Sequence, residues 1–235
     1  MRLKNKTSII TGGGRGIGLA IARAFAAEGA VVLLAARTLA EIEAAAAEIN
    51  AAGGKALAVA CDAADEAQVK TLVAAALKHL GRIDTLVNNA GAGAFRPAYG
   101  TPNSTWDKMM DVNARTTFLC TKHVWRPMRE IGGGSIINIS STSGTRAYPM
   151  YAAYSASKWA QIGFTKATAE EGKPDNIRVN AIAPGKVDTA MREAIAEDKG
   201  RMLAAEDCAG AAVFFASDDS RFITGQVLEI EWFGG

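Results

Sequence analysis

The chain has 235 residues, 49% of them hydrophobic and 21% charged, with a net charge of +2. That length and ordinary globular balance suit one α/β domain, residues 1–235, with ample material for a core. The weak, dispersed basic excess excludes a nucleic-acid footprint. No apolar run approaches the roughly 20 residues of a membrane span, and Met1–Ile10 lacks a signal-peptide core, so a cytoplasmic protein is expected.

Short β-prone runs alternate with longer helical patterns from end to end. Thr7–Thr11 is the first predicted strand. It runs into Thr11-Gly12-Gly13-Gly14-Arg15-Gly16-Ile17-Gly18, and a helix is predicted over Gly16–Glu28 with Ile17, Ala20, Ile21, Ala24 and Phe25 on one stripe. The spacing Gly12-x-x-x-Gly16-x-Gly18 is not the G-x-G-x-x-G fingerprint, but the physics is shared. Glycines admit positive φ and close backbone approach, and the helix start aims free N–H groups and partial positive charge at a pyrophosphate. The competing reading is a turn that needs glycine for packing alone.

The second predicted strand, Val31–Ala35, leads into Ala36-Arg37-Thr38. NAD sites of this kind place an acid there, about 20 residues past the glycines, to bond the ribose 2′-hydroxyl. Here position 36 is Ala, and an arginine follows. A guanidinium forks well onto a phosphate, and Arg15 can reach the same group from the other side. Both point to NADP(H); the alternative is a pair of solvated surface arginines.

A helix over Leu39–Ala52 and a strand over Lys55–Ala60 lead to Cys61-Asp62. Asp62 can accept from an adenine amino group or cap the next helix, Glu66–Leu80, although Asp65 is better placed for capping. Strand Ile83–Asn88 ends in Asn88-Asn89-Ala90-Gly91, a turn suited to lie under a cofactor or to be a plain Asx turn. A long helix is predicted over Ser104–Glu130, with Trp106, Met110, Thr117, Phe118 and Val124 on an inward stripe that also holds Asn113. A buried amide must be satisfied, here by a structural partner or by a water at a reactive centre. Strand Ser135–Ser140 is closed by Ser140-Ser141. Helix Tyr151–Glu171 puts Tyr154 and Lys158 one turn apart on one face. Tyr148 and Tyr151 are rival phenols without such a lysine. Strand Ile177–Ala183, helix Glu206–Ser217 and strand Gln226–Ile230 complete the pattern. Seven strands alternating with helices imply right-handed crossovers and a doubly wound parallel sheet with helices on both faces. Such sheets bind ligands at the carboxyl ends of their strands. Cys61, Cys120 and Cys208 read as reduced, mostly buried thiols. His79 and His123 lack a partner at metal-ligand spacing, so no metal site is expected.

Together these residues resemble the short-chain dehydrogenase/reductase family, in its single-domain NAD(P)-binding branch. The likeness runs from about Lys6 to Gly225 and is nearest in kind to 3-oxoacyl-[acyl-carrier-protein] reductases and broad carbonyl reductases. It is carried by Thr11-Gly12 through Gly18, Asp62, Asn88-Asn89-Ala90-Gly91, Asn113, Ser141, Tyr154 with Lys158, and Pro184-Gly185-Lys186-Val187-Asp188-Thr189. Ser141 stands thirteen residues before Tyr154, as the family pattern requires, which selects it over Ser140.

The resemblance implies a Rossmann-like fold and an NADP(H)-dependent oxidoreductase that interconverts a ketone and a secondary alcohol. Tyr154 would be the general acid and base, its pKa lowered from about 10 by the Lys158 ammonium and the cationic oxidised nicotinamide. Lys158 would also bond the nicotinamide ribose, and Ser141 would hold the substrate oxygen. Asn113, through its backbone and a water, would link Lys158 to solvent as a proton relay. Pro184, Gly185 and Val187 would hold the carboxamide, with Thr189 beside it or the pyrophosphate. A substrate lid is expected at about 189–205, shorter than is usual in the family. The ending Glu231-Trp232-Phe233-Gly234-Gly235 departs from the more usual Asp-Gly-Gly. A sugar, polyol or steroid dehydrogenase with the same site is the alternative, and a non-catalytic cofactor-binding protein is disfavoured by the intact Ser141, Tyr154 and Lys158. A homotetramer is expected, with Trp125, Met128 and Trp159 on its helical contacts and Trp232 and Phe233 on the other.

Overall fold

The computed structural model describes residues 1–190 and 202–232. Its strands are β1 (Thr7–Thr11), β2 (Val31–Ala36), β3 (Lys55–Ala60), β4 (Thr85–Asn88), β5 (Gly134–Ile139), β6 (Ile177–Pro184) and β7 (Val227–Ile230). They form one parallel sheet in the order β3-β2-β1-β4-β5-β6-β7. The described helices are α1 (Gly16–Ala27), α2 (Leu39–Ala51), α3 (Glu66–Leu80), α4 (Asn103–Met109), α5 (Thr116–Glu130), α6 (Ala152–Gly172) and α7 (Ala209–Ala216).

Successive strand residues point to opposite faces, and both faces are apolar, so these strands read as continuous hydrophobic runs. Ile10, Leu34, Val87 and Ile137 face α1, α2 and α7 across one core. Ile9, Leu33, Leu86 and Ile136 face α3 and α5 across the other. Each such side chain contributes about 1.5–3 kcal/mol by leaving water. Local signals set the ends. Asp65 caps α3 by accepting from the N–H groups of Ala67 and Gln68, and Gly81, at φ 76°, stops it. Strand order reverses between β1 and β4, and a crevice opens there beyond Thr11 and Asn88.

The predicted helix over Ser104–Glu130 is not continuous. A π-helical turn, Met110–Arg115, separates α4 from α5. The wider turn shifts the buried face. Thr117 and Val124 are buried as expected, but Met109 rather than Met110 fills the core, and Trp106 and Phe118 are 46% and 45% exposed. Met128 is fully buried, and Trp125 packs on the core and donates from Nε1 to Asp175 at 2.8 Å. Met128 therefore offers no free apolar area, while Trp125 is only partly buried. β4 begins at Thr85, two residues later than expected, and the last helix opens as a 3-10 turn over Ala205–Cys208. All three cysteines are free and buried. No helix among the described residues is long and apolar enough to cross a membrane.

Candidate active site

The carboxyl ends of the strands open into a cavity of about 1350 Å³, larger than the roughly 300–1,000 Å³ that holds a drug-sized ligand. Gly12, Gly14, Arg15, Gly16 and Ile17 line it from the turn between β1 and α1, and Arg37 and Asp62 from beyond β2 and β3. Asn89, Ala90 and Gly91 line it after β4, Ser140 and Ser141 after β5, Tyr154 and Lys158 on α6, and Pro184, Gly185, Val187 and Thr189 at the end of β6 and beyond. Gly18 and Asn113 stand behind this wall. Most of the expected lid, residues 191–201, lies outside the described residues.

The glycine turn is built for close approach. Gly12 and Gly16 have φ of +64° and +53°, which L side chains rarely adopt. Gly18 has a different reason: a Cβ there would lie 2.2 Å from the Gly12 carbonyl oxygen and 2.5 Å from Asn89 Nδ2. α1 has no side-chain cap and no acid in its first turn, so its leading N–H groups remain for a ligand. Asn89 does more than make an Asx turn. Its Nδ2 donates to the carbonyls of Thr11 and Gly12, both at 3.0 Å. The Thr11 hydroxyl accepts from the N–H groups of Asn89 and Ala90 and donates to the Val87 carbonyl. Arg15 and Arg37 are exposed at the cavity's edge. Arg15 makes only a 4.0 Å solvated contact with Glu41, too weak to fix it. The Asp62 Oδ1 accepts from Ala64 N, while Asp65 is the helix cap.

Tyr154 and Lys158 are 8% and 4% exposed, with the ammonium 5.7 Å from the phenol ring centroid. Burial pushes the phenol up to about 12, against a hydrogen bond with Ser141 that lowers it. Burial alone pulls Lys158 down to about 7. The lowered phenol expected from sequence is therefore not a property of the chain alone: desolvation penalises both charged forms more than the pair relieves them. The two serines differ in use. Ser140 donates to the Lys158 main-chain carbonyl at 3.1 Å, whereas Ser141 Oγ accepts from Ser143 N at 3.1 Å and stands close enough to the phenol to lower its pKa. Phe95, Tyr148 and Tyr151 form an aromatic wall, with Phe95 ring centroids 4.5 Å from Tyr151 and 5.8 Å from Tyr154.

Asn113 has its side chain satisfied by partners within the chain. Its Oδ1 accepts from Ala92 N, and its Nδ2 donates to the Ala92 carbonyl and to Ser157 Oγ, at 2.9–3.0 Å. Its carbonyl accepts from the hydroxyls of Thr116 and Thr117. Sequence reasoning overlooked Gln161, buried against Lys158. The available signal was its place at i+7 from Tyr154, on the stripe of Tyr154, Lys158 and Thr165. It also gave no role in the cavity to Glu231 and Trp232, which line it, with Arg146 paired to Glu231 at 2.7 Å.

The sequence model of the short chain dehydrogenase family matches residues 6–200. The chain belongs to that family. A short-chain reductase protein, NovJ, of Streptomyces niveus is 37% identical, covering 97% of this chain and 93% of its own. A cyclopentanol dehydrogenase of Comamonas testosteroni is 36% identical over 98% of this chain and 97% of its own. The crystal structure of a levodione reductase superposes with a TM-score of 0.93 at 33% identity, covering 98% of this chain and 97% of that one. Short chain dehydrogenases are oxidoreductases that use a nicotinamide dinucleotide. The residues present fit such a group: the uncapped start of α1, the positive-φ glycines and the cavity's size all suit a pyrophosphate with a nucleoside on each side.

Proposed function

We propose that this short chain dehydrogenase is an NADP(H)-dependent carbonyl reductase and alcohol dehydrogenase that interconverts a ketone and a secondary alcohol. The observation that carries the reading is Tyr154: a buried phenol beside Ser141, one helical turn from Lys158, in the same cavity as the glycine turn. The N–H groups at Gly14, Gly16 and Ile17 would hold the pyrophosphate, with Gly12 and Gly18 permitting the approach. Asp62 would take the adenine, and Asn89, Ala90 and Gly91 would floor the site. Pro184, Gly185, Val187 and Thr189 would hold the carboxamide end. When bound, the nicotinamide gives or takes the hydride. Tyr154 gives its proton to the carbonyl oxygen in reduction and recovers it in oxidation. Ser141 holds that oxygen as charge develops on it. A phenol at about 12 is fully protonated near neutrality, ready for reduction, whereas oxidation needs positive charge beside it. The Lys158 ammonium is the chain's own source of that charge. The aromatic wall of Phe95, Tyr148 and Tyr151 favours an apolar ketone over a sugar or polyol. Loss of NADPH absorbance over a panel of cyclic ketones, β-keto esters and sugars tests this. Turnover confined to sugars would overturn the substrate class.

Cofactor choice rests on Ala36, Arg37 and Arg15. Each charge-assisted phosphate contact is worth about 1.5–3 kcal/mol, so kcat/KM with NADPH is expected to exceed that with NADH more than tenfold. Arg37→Ala raises the KM for NADPH far more than that for NADH. A parallel rise in both would remove Arg37 as the phosphate ligand.

A cytoplasmic homotetramer is the proposed form. With Met128 committed to its own core, the contact on α5 and α6 falls mainly to Phe118 and Trp159, 45% and 52% exposed, with the partly buried Trp125 also on α5. Trp232, also 52% exposed, stands near the other; Phe233 lies outside the described residues. Light scattering at micromolar concentration is expected to give about four times 24.5 kDa. A monomer mass would overturn it.

A further inference from the structure

Gln161 is 1% exposed, three residues beyond Lys158 on α6. Its Oε1 accepts from Lys158 Nζ at 2.9 Å, and its Nε2 donates to Thr117 Oγ1 at 2.7 Å. The Thr117 hydroxyl donates to the Asn113 carbonyl at 3.0 Å. A hydroxyl has one proton, and a carbonyl can only accept. Thr117 has therefore spent its proton on Asn113 and offers Gln161 a lone pair. The amide must turn its NH₂ to Thr117 and its oxygen to Lys158. The second partner of the ammonium is the Ile139 carbonyl at 3.0 Å, another neutral acceptor. The groups beside Nζ are the Tyr154 ring on its own helix and Gly91 after β4, whose Cβ, were it present, would lie 3.7 Å away. No carboxylate contributes to its titration. Two of the three ammonium protons are thus held by fixed acceptors, and Lys158 lines the cavity.

We propose that Gln161 is the positioning residue of the Tyr154–Lys158 pair: with its orientation set by Thr117 and Asn113, it keeps the Lys158 ammonium charged and in one place beside the phenol. A carboxamide holds its own protons, so the chain from Lys158 to Asn113 anchors the lysine and does not conduct protons along it. The role deepens the proposed function and rests on that reading of Tyr154 and Lys158.

The test is the titration of Lys158 itself, followed by the ¹³Cε chemical shift in lysine-labelled protein, with the signal assigned by its loss in Lys158→Met. It needs no substrate. The midpoint near 7 is expected to fall by about one pH unit or more in Gln161→Met, the size of one lost charge-assisted hydrogen bond. Thr117→Val leaves Gln161 in place but frees its amide to turn, and is expected to give a smaller fall in the same direction. It decides the matter if Gln161→Met does not fold. A midpoint unchanged or raised, in protein that still melts cooperatively, overturns the proposal. Turnover of Tyr154→Phe separates the two levels. If that variant is inactive while the midpoint stays put, only the role of Gln161 fails. If it retains full turnover while the midpoint falls, Gln161 holds Lys158 but the catalytic reading fails.

Discussion

Tyr154→Phe is expected to cut kcat at least about a hundredfold, the usual scale for removing a general acid, while NADPH affinity barely changes. The variant keeps the ring, its edge contact with Phe95 and its burial, so packing is preserved. It loses only the hydroxyl that Ser141 addresses. Tyr151→Phe is the control, since Tyr151 shares the aromatic wall but not the turn's distance to Lys158. It is expected to retain substantial activity. Stopped-flow NADPH oxidation with a turned-over ketone measures both. If Tyr151→Phe were the inactive variant, the choice of phenol would be wrong.

Gly18→Ala is expected to damage cofactor binding and stability together. The added carbon would lie 2.2 Å from a backbone oxygen, which cannot swing aside as a side-chain tip can. Forcing a carbon into packed backbone costs about 1–3 kcal/mol, which in a chain of this size lowers Tm by about 2–4 °C per kcal/mol. Relief requires the Gly12 carbonyl to move, and the loop's N–H groups move with it. Loss of one charge-assisted bond to a phosphate weakens affinity about tenfold or more. NADPH fluorescence titration and a melting curve read the two effects. Unchanged affinity in the variant would show that this loop does not hold the pyrophosphate.

The strands and most helices were legible because their ends carry chemical marks. Asp65 and Gly81 bracket α3 to the residue, and Gly12 and Asn89 mark where β1 and β4 stop. The π-turn at Met110–Arg115 was not legible, because widening one turn changes phase without changing composition. That phase change is why Trp106 and Phe118 were assigned to the wrong face. Asn113 was found by its polarity on an apolar stripe. Its partners were beyond reach, since Ala92 offers only main chain and lies 21 residues away. Tyr154, Lys158 and Ser141 were legible by type and spacing. Their titration was not, because burial on all sides is a tertiary property that outweighs the attraction between neighbours on one helix.

The seam between β1 and β4 has a thermodynamic consequence. Thr11 and Asn89 tie the two strand ends together through five hydrogen bonds made entirely within the chain. A glycine-rich loop left loose would surrender conformational freedom on binding, at about 1–2 kcal/mol for each residue fixed. Here that freedom was given up during folding, so association starts from an ordered receptor. Calorimetry is expected to show a cofactor-binding entropy that becomes more unfavourable in Asn89→Ala, as the ordering moves from the folding step to the binding step. Affinity for the dinucleotide is in this sense drawn from the stability of the sheet itself.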